Sequence, residues 1–328
     1  MINPVAALLA DPGVLATQPC IAWHDVTAVE RCGGFAVLPW RATWLAAHAA
    51  GLEAGAQAPA EADFTQAVVH ARKERAGTWA DCAAAWRCLR LGGRLLLCGD
   101  NEIGIAGSAK RLGRELNQDG QVLANRRRAR VVAFVKDAGP GPQLAAPAPV
   151  ERAGWTYTTA PGVFAAGSAD AGSELLLRHC AALPTPERIL DLGAGSGLLA
   201  VSLLRLWPQA RAVLAEADAL ALACADSNAH AAGCAERATC VWWDAVSEPS
   251  PAQDCDLVVC NPPWHQGKAV DFAPAEGMFA ALDAALRPGG RALVVANTRL
   301  PYERQLAALG ALEILATEPG FKLLRLTR

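Results

Sequence analysis

The chain has 328 residues, of which 52% are hydrophobic and 19% are charged. This length suits two domains, and the apolar fraction can fill two cores, which excludes wholesale disorder. The formal net charge of −2 excludes a polycation. The chain has no apolar run of about 18 residues and no basic, apolar leader, so we expect a cytoplasmic protein that does not enter a membrane.

The 11 cysteines are scattered along the chain. None form a CxxC pair with the spacing of metal ligands. We interpret them as free or buried thiols in a reducing compartment, and we predict no metal site.

Basic residues are concentrated in the first half of the chain. Between Arg72 and Lys136 there are 14 Lys and Arg against 6 Asp and Glu. Residues 151–328 instead carry 19 acids against 14 bases. A basic stretch is typical of a surface that binds a polyanion, although a solvated helix face has the same composition. On charge alone, the solvated face is the simpler interpretation.

A segment rich in Gly, Pro and Ala separates the two halves and cannot hold a long helix or a central strand. We predict a domain over residues 1–137, a linker over 138–150 and a second domain over 151–328. The second domain alternates strands and helices, which predicts a mostly parallel sheet covered on both faces. The predicted strands are 188–192, 212–214, 239–243, 257–260, 291–296, 312–316 and 321–326, and the predicted helices are 198–207, 219–232 and 274–286. The turn pair Pro319-Gly320 separates the last two strands, so we expect the last strand to fold back antiparallel.

Part of this pattern is repeated in the first half. Residues 89–101 align without gaps to residues 286–298, with six of thirteen positions identical. We interpret the repeat as a divergent internal duplication, with chance similarity as the alternative. The first copy lacks a glycine-rich loop, and Ala71 stands where Asn261 stands in the second copy. Few strands are visible in the first copy before Phe64.

A glycine-rich loop follows the first strand of the second domain. This strand ends at Asp191, and Gly193, Gly195 and Gly197 come next, ahead of a helix. Glycines let the backbone turn sharply and approach a ligand closely. The acid and the spacing favour S-adenosylmethionine, whose positively charged amino group needs an acid and which has no pyrophosphate. A dinucleotide such as NAD is the alternative.

Acids also stand at the ends of the next two strands. Glu216 could accept hydrogen bonds from both hydroxyls of a ribose, with Asp218 as a competitor. Asp244 could accept from the adenine amino group, and the neighbouring Trp243 could pack on the base. The alternatives are a surface acid that starts a helix and a tryptophan of the core.

The tetrapeptide Asn261-Pro262-Pro263-Trp264 directly follows the fourth strand. Two prolines fix the chain in a stiff turn, so the Asn261 side-chain oxygen and the Pro262 carbonyl become convergent acceptors for a planar amino group. Trp264 offers an aromatic face to a base taken out of its stack. A sulfonium methyl donor is already a strong electrophile, so positioning is the main task. A tight structural turn is the alternative.

With these motifs, the chain resembles the bacterial ribosomal RNA guanine-N2 methyltransferases, especially the small-subunit (16S) type. The resemblance covers residues 155–328 well and residues 64–136 weakly. It also uses the segment from Asp170 to Leu177 and the pair Phe321-Lys322. Two positions depart from the family pattern: Trp264 stands where Phe is usual, and Glu216 stands where Asp is usual.

The resemblance implies an α/β fold of two tandem Rossmann-like methyltransferase domains, the first degenerate and the second with a seven-stranded sheet whose last strand is antiparallel. It implies methyl transfer from S-adenosylmethionine to N2 of a guanine in 16S rRNA by a monomer that meets ribosomal RNA or the small subunit. The degenerate domain would recognise RNA. The catalytic candidates are Asn261, Pro262, Pro263 and Trp264, and the cofactor candidates are Asp170, Asp191, Gly193, Gly195, Gly197, Glu216, Trp243 and Asp244.

Three alternatives stay open. The chain could methylate a guanine of 23S rRNA, or it could methylate adenine N6 or a protein glutamine through the same tetrapeptide. It could also be an RNA-binding or assembly protein that keeps a relic site. Intact loops at Asp191 and Asn261 argue against the relic.

Overall fold

The computed structural model describes residues 3–144, 149–152, 154–163, 171–262 and 272–328. The chain divides into two compact units, Met1–Ala146 and Pro147–Arg328, called here the first and second unit. Each unit contains one seven-stranded sheet, so the predicted α/β class with two tandem Rossmann-like sheets is confirmed.

The first unit is built from short strands at its beginning and longer ones at its end. Its strands are β1 (Cys20–Trp23), β2 (Gly34–Val37), β3 (Ala54–Gly55), β4 (Phe64–His70), β5 (Leu89–Asp100), β6 (Gln121–Arg126) and β7 (Ala129–Val135). Its helices are α1 (Pro4–Leu9), α2 (Thr27–Cys32), α3 (Arg41–Ala49), α4 (Arg75–Cys88) and α5 (Ile105–Leu116). Three short parallel strands precede Phe64, in the part of the sequence where few strands are visible.

The second unit begins with a small antiparallel pair, β8 (Val150–Arg152) and β9 (Trp155–Tyr157). The strands of its main sheet are β10 (Arg188–Leu192), β11 (Arg211–Glu216), β12 (Ala238–Trp242), β13 (Cys255–Cys260), β14 (Leu286–Asn297), β15 (Ala311–Glu318) and β16 (Phe321–Thr327). The helices are α6 (Ala171–Cys180), α7 (Leu198–Leu206), α8 (Ala219–Ala231), α9 (Ala273–Ala285) and α10 (Glu303–Leu306).

The two sheets have the same strand order. It is β3-β2-β1-β4-β5-β7-β6 in the first unit and β12-β11-β10-β13-β14-β16-β15 in the second. In the second unit β16 lies between β14 and β15 and is antiparallel to both, which confirms the prediction for the last strand. β7 has the same position and direction in the first unit. The matching topology supports the interpretation of an internal duplication.

The central strands are apolar on both faces because helices cover both sides of each sheet. Along β13, Val258 and Cys260 belong to one core cluster, and Leu257 and Val259 belong to the other. This alternation follows from the two-residue period of a strand. Among the described residues, none of the helices combines the length and apolar character needed to cross a bilayer.

Candidate functional site

Four parallel strands end side by side at one edge of the second sheet. The order β12, β11, β10, β13 brings the end of β10 between the ends of β11 and β13. The chain reverses its direction of strand addition between β10 and β13, and ligands of open α/β sheets bind outside the strand ends at such a point. The structure therefore brings Asp191, Glu216 and Asn261 to adjacent strand ends.

The glycine loop has a left-handed backbone at Gly193, Gly195 and Gly197, with φ of 73°, 56° and 83°. A Cβ on Gly197 would lie 3.0 Å from the Cβ of Ala225, and one on Gly193 would lie 3.1 Å from Cε of Met278. A Cβ on Gly195 would meet no heavy atom of the described chain within 4 Å. Gly193 and Gly197 thus allow close packing, whereas Gly195 borders open space that a ligand could fill.

Asp191 is fully buried beneath this loop. Its Oδ2 accepts from the backbone N–H of Ala200 at 3.0 Å, in the first turn of α7. Its Oδ1 has no hydrogen-bond partner in the part of the chain that the structure describes. Burial raises the pKa of Asp191 to about 7, with the carboxyl of Glu216 adding to the rise and the N–H of Ala200 opposing it. A cation beside Asp191 would stabilise its charged form.

Glu216 ties the glycine loop to the end of β11. Its Oε2 accepts from the N–H of Gly195 at 2.8 Å, and its Oε1 accepts from those of Ala217 and Asp218 at 2.7 and 2.9 Å. A carboxylate has about four acceptor positions, so it can also accept from a ligand hydroxyl. Burial raises the pKa of Glu216. Asp218 instead caps α8, where its Oδ1 accepts from the N–H of Leu220 at 2.9 Å.

Asp244 and Trp243 follow β12 and have different surroundings. Oδ2 of Asp244 accepts from the N–H and the hydroxyl of Ser247, at 3.0 and 2.6 Å, which holds the carboxylate in a turn. Trp243 is only 3% exposed, and its indole N–H donates to the carbonyl of Pro249 at 2.8 Å. Trp243 belongs to one of the two core clusters of the second unit, as in the alternative considered from the sequence.

The Asn261 side chain is held from the side of α6. Its Nδ2 donates to the hydroxyl of Ser173 at 3.2 Å, across 88 positions of sequence. Ser173 is buried, and so is Pro262, which follows Asn261 at the end of β13. This hydrogen bond gives the Asn261 amide a preferred orientation. Nδ2 faces Ser173, and Oδ1, on the other branch of the amide, faces away from Ser173. Asp170, Pro263 and Trp264 lie outside the described residues.

Two further residues support the site and were given no role from the sequence. Ser173 lies in the segment from Asp170 to Leu177, but its partner Asn261 is 88 positions away in the chain, too far to be identified from spacing. Asn228 is 1% exposed, and its Nδ2 donates to the carbonyls of Ser196 and Thr158 at 2.9 and 2.8 Å. The sequence offered no signal for this role, because α8 carries Asp226, Ser227 and His230 beside Asn228. Asn228 joins α8 to the glycine loop and to the segment after β9.

The equivalent edge of the first unit is occupied by its own charged side chains. His24 follows β1, where the glycine loop follows β10, and its Nε2 lies 3.0 Å from Oδ2 of Asp81. Nε of Arg72 lies 3.1 Å from the same oxygen. His70 ends β4 and lies 3.8 Å from Asp25, and burial lowers the pKa of His70. At this edge of the first unit, the network stands where the second unit has its glycine loop, and Ala71 stands in place of Asn261.

Comparison with known proteins identifies a methyltransferase domain in the same half of the chain. Residues 154–325 match the family model described as Methyltransferase small domain. The chain is 33% identical to the ribosomal RNA small subunit methyltransferase C of Pseudomonas entomophila, over 73% of this chain and 72% of that protein. It is 35% identical to the ribosomal RNA large subunit methyltransferase G of Vibrio cholerae, but over only 47% of this chain and 41% of that protein.

One solved structure matches both units. It is the T. thermophilus 16S rRNA N2 guanine methyltransferase RsmC, solved in complex with AdoMet and guanosine. It aligns with a TM-score of 0.82 and 28% identity, over 100% of this chain and 92% of that chain. The similarity therefore includes the first unit as well as the strand ends described above.

Proposed function

Since the chain belongs to the ribosomal RNA small subunit methyltransferase C family, we propose that it methylates the exocyclic N2 amine of a guanine in 16S rRNA, with S-adenosylmethionine as donor. It is an enzyme, and its chemistry lies in the second unit. The observation that carries the proposal is the Asn261 amide, which Ser173 orients at the switch point beside the glycine loop.

The residues at the strand ends fit S-adenosylmethionine. The open space at Gly195 admits a ligand against the loop backbone, and Oδ1 of Asp191 is a buried acceptor with no partner in the described chain. Two buried carboxyls, Asp191 and Glu216, favour a ligand that carries positive charge. Glu216 would accept from the ribose and Asp244 from the adenine amino group. When bound, the cofactor supplies an electrophilic methyl group.

The chain's own contribution to the reaction is to position the amine. Oδ1 of Asn261 and the carbonyl of Pro262 each accept a hydrogen bond from the N2 amino group of guanine. These two bonds fix the plane of the amine and direct its lone pair toward the methyl group. The methyl group would leave the sulfonium sulfur of the donor as the nitrogen bonds to it, and the nitrogen would lose one proton to solvent. Pro263, Trp264 and Asp170 take part in this proposal on the basis of their sequence positions alone.

The 16S target is favoured by the extent of the matches. The alignment to the Vibrio cholerae enzyme that is named for the large subunit covers about half of this chain, whereas the alignment to RsmC extends over the first unit. Because the first unit lacks a glycine loop and carries the basic stretch, we assign it to RNA recognition. The predicted boundaries 1–137, 138–150 and 151–328 belong to the same proposal. We also propose that the protein acts in the cytoplasm, where ribosomes are, and that it is a monomer. Light scattering can test the monomeric state.

The proposal can be tested with a strain that lacks this protein. Its 16S rRNA, small subunits and large subunits are each incubated with the purified chain and radiolabelled S-adenosylmethionine, and the labelled nucleoside is identified after digestion. We expect N2-methylguanosine in 16S rRNA, in the free RNA or in the small subunit. Label in 23S rRNA, on adenine N6 or on a protein glutamine would support one of the alternatives. Cofactor binding without any transfer would support a relic site.

A further inference from the structure

A cationic cleft lies in the first unit between α5 and the β6–β7 hairpin. Its volume is about 540 Å³, and its walls include the cations Lys110, Arg114 and Arg130. Asp119 is the one acid among the described residues that line it. Lys110 and Arg114 are exposed and stand four positions apart on α5, where like charges repel each other. The fold thus concentrates positive charge on one face of the first unit.

The three cations have no acidic partners within the described ranges. No carboxylate forms an ion pair with Lys110, Arg114 or Arg130, and Nε of Arg130 is buried without a hydrogen bond there. The neighbouring Arg111 is different. It lies 3.6 Å from Glu115 and 4.3 Å above the ring of Trp79. The cleft is therefore lined by Lys110 and Arg114, the cations of α5 that form no ion pair in the described chain. Arg111 instead contacts Glu115 and Trp79.

The second unit shows what a paired cation looks like at the same position. Arg130 of β7 lies opposite Gly99 of β5, and Lys322 of β16 lies opposite Ala296 of β14. Gly99 and Ala296 are equivalent in the repeated segments. Lys322 is 7% exposed, and its Nζ lies 2.5 Å from the carboxylate of Glu303. Arg130 forms no such ion pair among the described residues, so its charge is available to an external anion.

The tip of the same hairpin also differs between the units. The residues between the last paired positions are Pro319-Gly320 in the second unit and Arg127-Arg128 in the first. Arg127 and Arg128 have φ of 54° and 64°, a left-handed conformation that is unfavourable for an arginine and easy for glycine or asparagine. The exposed guanidinium of Arg128 lies 3.6 Å from the exposed carboxylate of Glu102. Local folding alone does not favour two arginines at this turn, whereas binding of an anion does.

The walls of the cleft are closely packed and preformed. A Cβ on Gly113 would lie 2.6 Å from the carbonyl of Gln118, so α5 touches the following loop directly. The Gln118 amide donates to the carbonyl of Val135 at 2.8 Å and accepts from its N–H at 3.1 Å. A rigid cleft presents its charges at fixed spacing and lowers the entropy cost of binding.

We propose that this cleft binds the sugar–phosphate backbone of the RNA substrate through Lys110, Arg114 and Arg130, and that Arg127 and Arg128 extend the site at the hairpin tip. The inference rests on the proposed function, since it gives that RNA substrate a binding site away from the methylation site. Phosphate contacts fix the register of a nucleic acid on a protein without reading its sequence. The target guanine is then selected by the second unit.

The test compares two triple variants of the full chain. Lys110→Gln, Arg114→Gln and Arg130→Gln remove the three charges of the cleft. The control, Arg31→Gln, Arg188→Gln and Arg211→Gln, removes three exposed charges that lie outside the cleft and outside the basic stretch. Arg188 and Arg211 begin β10 and β11, at the edge of the sheet opposite the candidate site. Affinity for 16S rRNA is measured by filter binding at a series of salt concentrations that includes 0.15 M. Calorimetry with S-adenosylmethionine verifies that each variant keeps a folded second unit, and circular dichroism verifies the first.

The cleft variant should bind 16S rRNA on the order of 10- to 100-fold more weakly at about 0.15 M salt. The slope of log affinity against log salt concentration should become less steep by about two, since each lost phosphate contact to a single strand accounts for about 0.7. The control should keep the slope of the wild type. Equal losses in both variants, or an unchanged slope in the cleft variant, would overturn the inference while leaving the proposed function intact. A wild-type chain that neither binds nor methylates rRNA or small subunits would instead overturn the proposed function.

Discussion

Nδ2 of Asn261 donates to Oγ of Ser173 at 3.2 Å and so joins the end of β13 to the first turn of α6. We expect Ser173→Ala to lower kcat by about 5- to 10-fold, the effect of losing one hydrogen bond of about 1 kcal/mol. The Kd for S-adenosylmethionine should stay the same. Single-turnover methylation and calorimetry measure the two quantities.

Two controls separate orientation of the amide from general loss of packing. Ser173→Thr keeps a hydroxyl and should recover part of the rate. Ser202→Ala removes a hydroxyl that accepts from the indole of Trp155 at 2.9 Å, away from Asn261, and should leave kcat unchanged. An effect of Ser173→Ala on cofactor affinity alone would contradict the positioning role.

Asn261→Ala should abolish methyl transfer, because it removes one of the two acceptors for the target amine. Cofactor affinity should change by less than about two-fold, since the glycine loop and Glu216 are untouched. Asn261→Asp keeps an acceptor oxygen but loses the donor to Ser173, so we expect a residual rate. Loss of cofactor binding in Asn261→Ala would show that the residue belongs to the cofactor site instead.

Gly195→Val should remove cofactor binding by filling the open space beside the loop. A valine is also strained at a φ of 56°, so the loss of stability must be separated from the loss of binding. Gly233→Val is the matched control, because Gly233 has a φ of 68° and equally open surroundings in the described chain. Both variants should lose about 1 to 2 kcal/mol of stability, but only Gly195→Val should lose binding in calorimetry.

The pKa of Asp191, raised to about 7, predicts opposite pH effects on binding and on stability. A cationic cofactor prefers the ionised carboxylate, so affinity should rise by up to about ten-fold per pH unit below about 7 and level off above it. Without cofactor, the folded state holds this proton more tightly than the unfolded state, whose pKa is near 3.8. The stability contribution of Asp191 therefore falls as pH rises from about 4 to about 7.

Asp191→Asn has no charge to titrate and is the direct check on this interpretation. Its cofactor affinity should be lower than that of the wild type at about pH 8, and it should lack the rise between about pH 6 and about pH 7. Titration of the cofactor's own amino group affects both proteins equally, so the difference between the two curves isolates Asp191. Parallel curves would contradict the assignment.

Substitutions at the hairpin tip of the first unit should increase stability and decrease RNA affinity. Arg127→Asn with Arg128→Gly introduces the residue pair that this left-handed turn prefers. The free energy of unfolding of the first unit should therefore increase by about 1 kcal/mol. RNA affinity should decrease at the same time. Thermal unfolding and filter binding give both values. Greater stability with unchanged RNA affinity would remove the tip from the RNA-binding site.

The parts of the fold that rest on long, strongly patterned segments were predictable. The run before Asp191, the glycine spacing and the Pro319-Gly320 turn identified the parallel sheet and its antiparallel last strand. The three strands before Phe64 have only four, four and two residues, too few to show a period in the sequence. Their pairing with each other and with β4 makes them strands.

The candidate site was predictable where a motif carries its own geometry. The positions of Asp191, Glu216 and Asn261 at strand ends follow from counting residues. Whether Trp243 packs on a base or in the core does not, because the core cluster that it joins is assembled from α9, β14 and other elements that are distant in sequence. The bond between Asn261 and Ser173 is a tertiary contact of the same kind.

Each of the four core clusters draws its residues from a single unit. Cooperative unfolding follows the boundaries of such cores, so one free energy of unfolding does not describe the whole chain. We expect separate transitions, and a substitution at the β6–β7 hairpin should move only the transition of the first unit. Variation in one unit can then accumulate without weakening the packing on which the other depends.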